Sequence, residues 1–253
     1  YGKAKVITAN YMYANIDDVI GFSKNVKKIL DDEGLFVIQT GYHPEQMKIN
    51  MFDYIYHEHF SYFTVKVLSE FLSKYEIELI HVSLHPSKGG SIRVIAQQKS
   101  GKRAVHESVK SFIDAEKRAG IHKPETYSRF ANEIDLRKSE LVGLIKQIHA
   151  DGHIIVGYGA SHSTTTLIHH FEIGKYLDFI VDDNPIKHGL YSPGYHLPVY
   201  PSEKLNQRKP EYALVLGWQH QDSIINRNKK YMNEGGKFIV PLPELKVFDD
   251  CSS

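Results

Sequence analysis

Residues 52–64 read FDYIYHEHFSYFT and gather six aromatic side chains, His57, Glu58 and His59 into one loop-like segment. A solvated loop has little need of so many rings, and a core strand has no use for His-Glu-His. The composition points to a binding or reacting site. Metal capture is a poor match, because the histidines are two apart rather than four apart on a helix and no cysteine is near. Acid–base chemistry matches better. An imidazole with a reference pKa of about 6.5 accepts a proton at neutral pH, Glu58 can fix its tautomer, and the Tyr56 phenol can stabilise a developing oxyanion. A surface loop whose aromatics merely pack is the competing reading.

A second set of residues begins with GYGAS at 157–161. Gly157 and Gly159 allow close backbone approach, and the amides that open the following Ser/Thr-rich helix, from Ser161 on, favour a phosphate. The next apolar run ends in Asp182 and Asp183, near where a dinucleotide-binding fold carries its ribose-binding acid. His162 stands in place of the third glycine of that pattern, so the motif also reads as a plain tight turn. NPIKHGLYSPG (184–194) offers Lys187 and His188 to an anion at the strand ends, where ligands of open sheets sit, or is a solvated turn. Trp218, the only tryptophan, follows YALVLG as core or as pocket wall.

Regular elements must hold these residues. AKVITA (4–9) and LFVIQT (35–40) read as short buried strands. The helix between them is capped by Asp17 or Asp18 and carries Val19, Phe22, Val26, Ile29 and Leu30 on one face. This β-α-β rhythm predicts a parallel sheet. Thr64 caps the helix VKVLSEFLSKY, and EIELIHVSL and IRVIAQQ then predict an antiparallel pair at a sheet edge. Residues 104–150 are polar, with Phe112, Ala115, Ala119, Phe130, Ile134, Leu141, Leu144, Ile145 and Ile148 near helical spacing. From residue 151, HIIVGYGAS, LDFIVDD, LPVY, YALVLGW and GGKFIVP make a doubly wound α/β pattern of four or five strands. The expected division is a domain over 1–100, a helical connector over 101–150 and a second domain over 151–253.

The 253 residues, 42% hydrophobic and 24% charged, suit one large domain or two ordinary ones. With 31 basic and 30 acidic residues the formal net charge is +1, which gives no reason to expect nucleic acid as a partner. Cys251 stands alone, which excludes an internal disulfide or a multi-cysteine zinc site and fits a reducing compartment. No apolar run approaches the roughly 18 residues of a membrane span, and no signal-peptide pattern opens the sequence. A cytoplasmic protein with no membrane partner is the expectation. GKAKVITAN at the opening reads as the approach to a strand, a start in the middle of a domain.

FDYIYHEHFSYFT, KGGSIRV, GYGAS, VDDNPIKHGLYSPGYHLPV and GGKFIVPLPE occur in this order. Through their joint occurrence, over nearly the whole chain, the sequence resembles the S-adenosylmethionine-dependent sugar C-methyltransferases that alkylate nucleotide-linked keto-deoxysugars. The resemblance implies a zinc module, a class I methyltransferase domain with sheet order 3-2-1-4-5-7-6, and a C-terminal Rossmann-like domain. On that template AKVITA and LFVIQT resemble strands 4 and 5, while EIELIHVSL and IRVIAQQ resemble strands 6 and 7. The zinc module and strands 1 to 3, with the glycine loop and ribose acid of the S-adenosylmethionine site, then have no counterpart. The implied α/β architecture is a partial class I methyltransferase sheet, a helical connector and a second Rossmann-like domain. The implied cofactor site is incomplete, and zinc belongs only to the missing module.

The resemblance also implies a reaction. A base removes the proton beside the ketone of a nucleoside-diphosphate 4-keto-deoxysugar, and the enolate carbon takes the methyl group. His59 is the expected base, Tyr56 and Glu58 orient it or stabilise the enolate, and His57 lies in the same catalytic segment. Asn15, Arg93, Gly157, Gly159, Ser161, Asp183 and Lys187 are the expected substrate-binding residues. Where the family shows NxxxH after strand 4, NYMYAN here ends in Asn15, which cannot titrate but can hydrogen-bond a sugar oxygen. Its acid and proline after strand 5 appear as Gln39 and Gly41, and its lysine after GYGA is replaced by HSTTT. A truncated, non-catalytic sugar-nucleotide-binding protein is the alternative, as is, on GYGAS alone, an NAD-dependent sugar oxidoreductase.

Overall fold

The computed structural model describes residues 2–249; Tyr1 and Cys251 lie outside the described residues. The chain forms two compact units. One takes the residues up to Ile49 together with His57–Phe130, and the other takes Asn50–Tyr56 with the residues from Ala131 on. The aromatic stretch is thus divided between Tyr56 and His57.

The first unit contains β1 (Ala4–Asn10), α1 (Val19–Ile29), β2 (Leu30–Gly41), α2 (His43–Lys48), α3 (Val65–Ser73), β3 (Ile77–His85), β4 (Ser91–Gln98) and α4 (Glu107–Arg118). Its sheet runs β1-β2-β4-β3, with β1 and β2 parallel and β4 antiparallel to both neighbours. That is the 4-5-7-6 order implied for these strands by the resemblance. Alternation along β2 turns Phe36, Ile38 and Thr40 inward, and the two apolar residues share a core with Leu68, Leu72, Ile77, Ile92 and Val94.

Asp18 caps α1, its Oδ1 accepting from the Gly21 amide at 2.8 Å. Val26 and Leu30 are buried as the helical spacing predicts, but Ile29 is 51% exposed. The helix stops at Ile29, and Leu30 already pairs with Ala4; the DDEG run then bulges out before pairing resumes at Val6 with Leu35. The strand therefore starts before the polar break that the sequence suggests as its boundary. Further on, α4 packs over α3 and β3. Its buried Glu116 accepts from the amides of Val65 at 2.6 Å and Lys66 at 3.0 Å and from the Tyr42 hydroxyl at 2.9 Å. A carboxylate at the positive end of α3 satisfies amides that the helix itself leaves without partners.

Helix α5 (Pro124–Ala150) carries the chain into the second unit, where it buries the stripe Ile134, Leu141, Ile145 and Ile148. There follow β5 (Ile155–Tyr158), α6 (His162–Phe171), β6 (Ile180–Asp182), β7 (Val199–Pro201), α7 (Lys204–Arg208), β8 (Tyr212–Val215), α8 (Gln221–Arg227), α9 (Lys229–Asn233), β9 (Lys237–Val240) and β10 (Lys246–Phe248). The sheet order is β10-β9-β8-β5-β6-β7. Five strands are parallel and β10 pairs antiparallel with β9. The sequence signalled the parallel five; KVF of β10 is too short to stand out. No helix among the described residues is long and apolar enough to cross a membrane.

Candidate functional site

In the second unit β5 lies between β6 and β8, so successive connections leave it in opposite directions. Open α/β sheets bind ligands at the carboxyl ends of such strands. A cleft of about 370 Å³ lies there. It is lined by Tyr54 and Tyr56 from the inserted segment, by Tyr158 to Ser163 after β5, by Asp182, Asp183 and Lys187 after β6, and by Gly217, Gln219, His220, Ile224 and Arg227 after β8.

The glycine turn is shaped by two different demands. Gly157 sits within β5, where a Cβ would come within 2.5 Å of Leu216 Cδ1, so it serves strand packing and does not line the cleft. Gly159 has φ +103°, and a Cβ there would meet the Gly217 nitrogen at 3.0 Å; it lets two loops approach at the cleft floor. Ser161 caps α6 by accepting from the Thr164 amide at 3.3 Å.

Two ion-paired carboxylates frame the turn. Asp182 Oδ2 accepts from the Ala160 amide at 2.7 Å and from Lys187 Nζ at 3.0 Å, and its Oδ1 accepts from the Asn184 amide at 2.8 Å. Asp183 Oδ1 accepts from the Tyr158 hydroxyl at 2.8 Å, and its Oδ2 pairs with Arg227 at 2.8 Å. The Tyr158 oxygen in turn accepts from Asn228 Nδ2 at 3.2 Å. Burial, seconded by Asp183, raises the Tyr158 phenol above its ordinary range, so it stays a donor.

The inserted segment is fastened to this wall. Phe52 stacks on Phe171 with ring centroids 5.0 Å apart, Thr166 donates to the Ile55 carbonyl at 3.2 Å, and the Tyr54 hydroxyl donates to Gln219 Oε1 at 3.3 Å. Tyr56 meets the His162 ring at 5.7 Å. Trp218 is buried and donates from Nε1 to Asp53 Oδ2 at 3.0 Å, which makes it wall support as well as core.

Of the residues expected from sequence, Tyr56, Gly159, Ser161, Asp183 and Lys187 meet at this cleft. His57, Glu58, His59, Asn15 and Arg93 belong to the first unit. There the Ala14 carbonyl accepts from the amides of Phe60 at 2.9 Å and Ser61 at 3.2 Å, which brings the Asn15 turn beside the His59 segment. His59 faces Tyr62 edge-on at 6.1 Å. Arg93 donates from Nε at 3.1 Å and Nη2 at 2.9 Å to Gln39 Oε1. Because arginine only donates, the Gln39 amide must turn its Nε2 to the Tyr11 oxygen, 2.8 Å away. Burial alone would raise the Tyr11 phenol; its bonds with Ser87, Ser91 and Gln39 and the charge of Lys88 outweigh burial and hold it lower.

Sequence reasoning passed over Asp53, Tyr54, Gln219, His220, Arg227 and Asn228. Asp53 and Tyr54 stood inside the aromatic stretch already singled out. The other four sit after β8 or on α8, and nothing in their local spacing marks them.

A family profile described as the C-methyltransferase C-terminal domain matches residues 86–243. The C-methyltransferase NovU of Streptomyces niveus is 31% identical over 248 residues, 98% of this chain. The chain spans 59% of that protein's length. On the profile match, which takes in the whole sheet of the second unit up to β9, the chain belongs to the C-methyltransferase family.

Proposed function

We propose that the protein serves S-adenosylmethionine-dependent C-methylation of a 4-keto-deoxysugar carried on a nucleoside diphosphate, through a base-generated enolate. The cleft is the observation that carries the reading. It combines a glycine turn at a helix start, the remaining N–H donors of Lys187 and Arg227, each ion-paired with an aspartate, and the two phenols Tyr54 and Tyr56, a set suited to a diphosphate with a flat or hydroxylated group at either end. In this reading the second unit is the sugar-nucleotide domain, the first is the later half of a methyltransferase domain, and the setting is cytoplasmic. Asp182 is committed to Ala160, Asn184 and Lys187, which speaks against a ribose-binding role and so against an NAD-dependent oxidoreductase.

His59 is assigned as the base. It takes the proton from the carbon beside the ketone, the C–H electrons move into the carbonyl, and the enolate carbon becomes the nucleophile for the methyl group. Glu58, Tyr56 and His57 hold the imidazole or stabilise the enolate oxygen, and Asn15 and Arg93 contact the sugar. No Gly-x-Gly turn follows a strand among the described residues of the first unit, which supports the reading that the methyl donor's site is incomplete here, and only acceptor-side steps are assigned.

Exchange of the sugar's α-proton into deuterated water, without a methyl donor, tests the assignment. The unaltered protein is expected to catalyse exchange, and His59→Asn to lower it by about 10²- to 10⁴-fold with sugar-nucleotide binding retained. Tyr56→Phe should cost less. Exchange that survives in His59→Asn would move the base to Tyr56 or His57.

A further inference from the structure

Asp53 plays no part in the chemistry just assigned, yet its side chain has no exposed surface. Its Oδ2 accepts from the Trp218 indole at 3.0 Å, and its Oδ1 is buried without a hydrogen-bond partner. No lysine, arginine or histidine among the described residues pairs with it. An ionised carboxylate in such a place lacks the partners that normally offset desolvation. Burial accordingly pushes the carboxyl up to about 7, and the Trp218 indole, its own amide and the Ser163 hydroxyl pull it back only partway. Protonation removes the charge that Oδ1 would otherwise carry without a partner, while Oδ2 keeps the indole.

The Trp218 turn presents its indole to this carboxyl, and Ser163 of α6 adjoins it; Gln219, His162 and His220 line the cleft, and His170 lies against the neighbouring Phe52. The charges of the cleft are two internally neutral pairs, Lys187 with Asp182 and Arg227 with Asp183. Tyr54, Ser163 and Gln219 line the cleft, so the carboxyl lies directly behind its wall. A negative ligand in the cleft acts on Asp53 through protein rather than through water, where charge interactions are strong.

We propose that Asp53 is a positioning residue that takes up a proton when an anionic ligand occupies the cleft, its neutral carboxyl holding Tyr54 and Tyr56 in the wall through Trp218. The ligand class rests on the proposed function; the proton site does not.

Trp218 is the sole tryptophan of the chain, so its emission reports on the carboxyl it touches. In the unliganded protein emission is expected to follow a one-proton transition with its midpoint near pH 7, absent in Asp53→Asn. Calorimetry with thymidine-diphosphoglucose, whose phosphates do not titrate near neutrality, reads the coupling. Affinity should fall about tenfold between pH 6 and pH 9, equivalent to a one-unit rise of the carboxyl on binding, and should be flat in Asp53→Asn. No transition in the unaltered protein, or one that persists in the variant, overturns the proposal, as does binding with pH-independent affinity. Failure of the sugar nucleotide to bind at any pH removes the nucleotide reading, while the emission transition still decides whether Asp53 is the proton site. Should Asp53→Asn not fold, carbon-13 spectra of the aspartate carboxyls in the unaltered chain must show one group titrating near pH 7; otherwise the proposal falls.

Discussion

At the scale of single residues, Asp53 and Lys187 show how far side-chain chemistry depends on what lies behind it. A carboxyl at about 7 in the folded chain and 3.8 outside it keeps its proton in the fold where the unfolded chain has lost it. Stability therefore declines as pH rises from about 4 to about 7 and levels off above, by up to roughly 4 kcal/mol. Asp53→Asn is expected to raise the urea midpoint of the second unit at pH 8 and to leave it nearly unchanged at pH 4.5, as read by Trp218 emission. Lys187 was legible as a cation near the strand ends. Its lien to Asp182 at 3.0 Å was not, because it depends on the turn that brings them together. Removing Lys187 leaves Asp182 without its counter-ion at the cleft, so Lys187→Ala is expected to weaken the proposed sugar-nucleotide binding about tenfold, or ~1.4 kcal/mol. An affinity within about 0.3 kcal/mol of the unaltered protein would remove Lys187 from the proposed phosphate contacts. His59 stood out in sequence because its neighbours were unusual; Asp53, a few residues before it, looked like an ordinary polar residue in a loop.

At the scale of elements, strand positions and caps were the legible part, but burial was not always so: β1, expected to be a buried strand, buries only Ala9 and leaves Val6 58% exposed. The caps at Asp18 and Thr64 sit where their side chains promised, and the inward alternation of β2 follows from its apolar period. What sequence did not carry was pairing at a distance: Leu30 is drawn into the sheet by Ala4, and β10 exists because β9 offers it an edge. Glu116 belongs to the same class. Seen on α4 it is one acidic residue among several, but it caps α3 from 51 residues away in the chain. Glu116→Ala is expected to destabilise the first unit by about 3 kcal/mol and Glu116→Gln by about 1–2 kcal/mol, since the amide keeps an acceptor but loses the charge. Far-UV circular dichroism during urea unfolding should show an early loss of signal, with the Trp218 transition of the other unit in place. A shifted Trp218 midpoint would contradict this.

At the scale of the whole molecule, the chain passes between its units at 49/50, at 56/57 and again at 130/131. Residues 131–253 alone would leave Trp218 without its acceptor and Phe171 without its stacked partner. That fragment is expected to melt well below the second unit of the intact chain, and joining residues 50–56 to its N-terminus through a Gly/Ser linker should recover much of the loss. Equal melting of the two fragments would mean that the inserted segment contributes nothing to the unit. The arrangement also bears on heredity. A gene can exchange a contiguous domain through one crossover, but a crossover between codons 57 and 130 here would bring in a new second unit with the old aromatic strap still attached. Unless Asn50–Tyr56 happened to suit the incoming partner, the hybrid would carry a mismatched joint. The two units are therefore expected to be inherited together, so that phylogenetic trees built separately from each should branch alike.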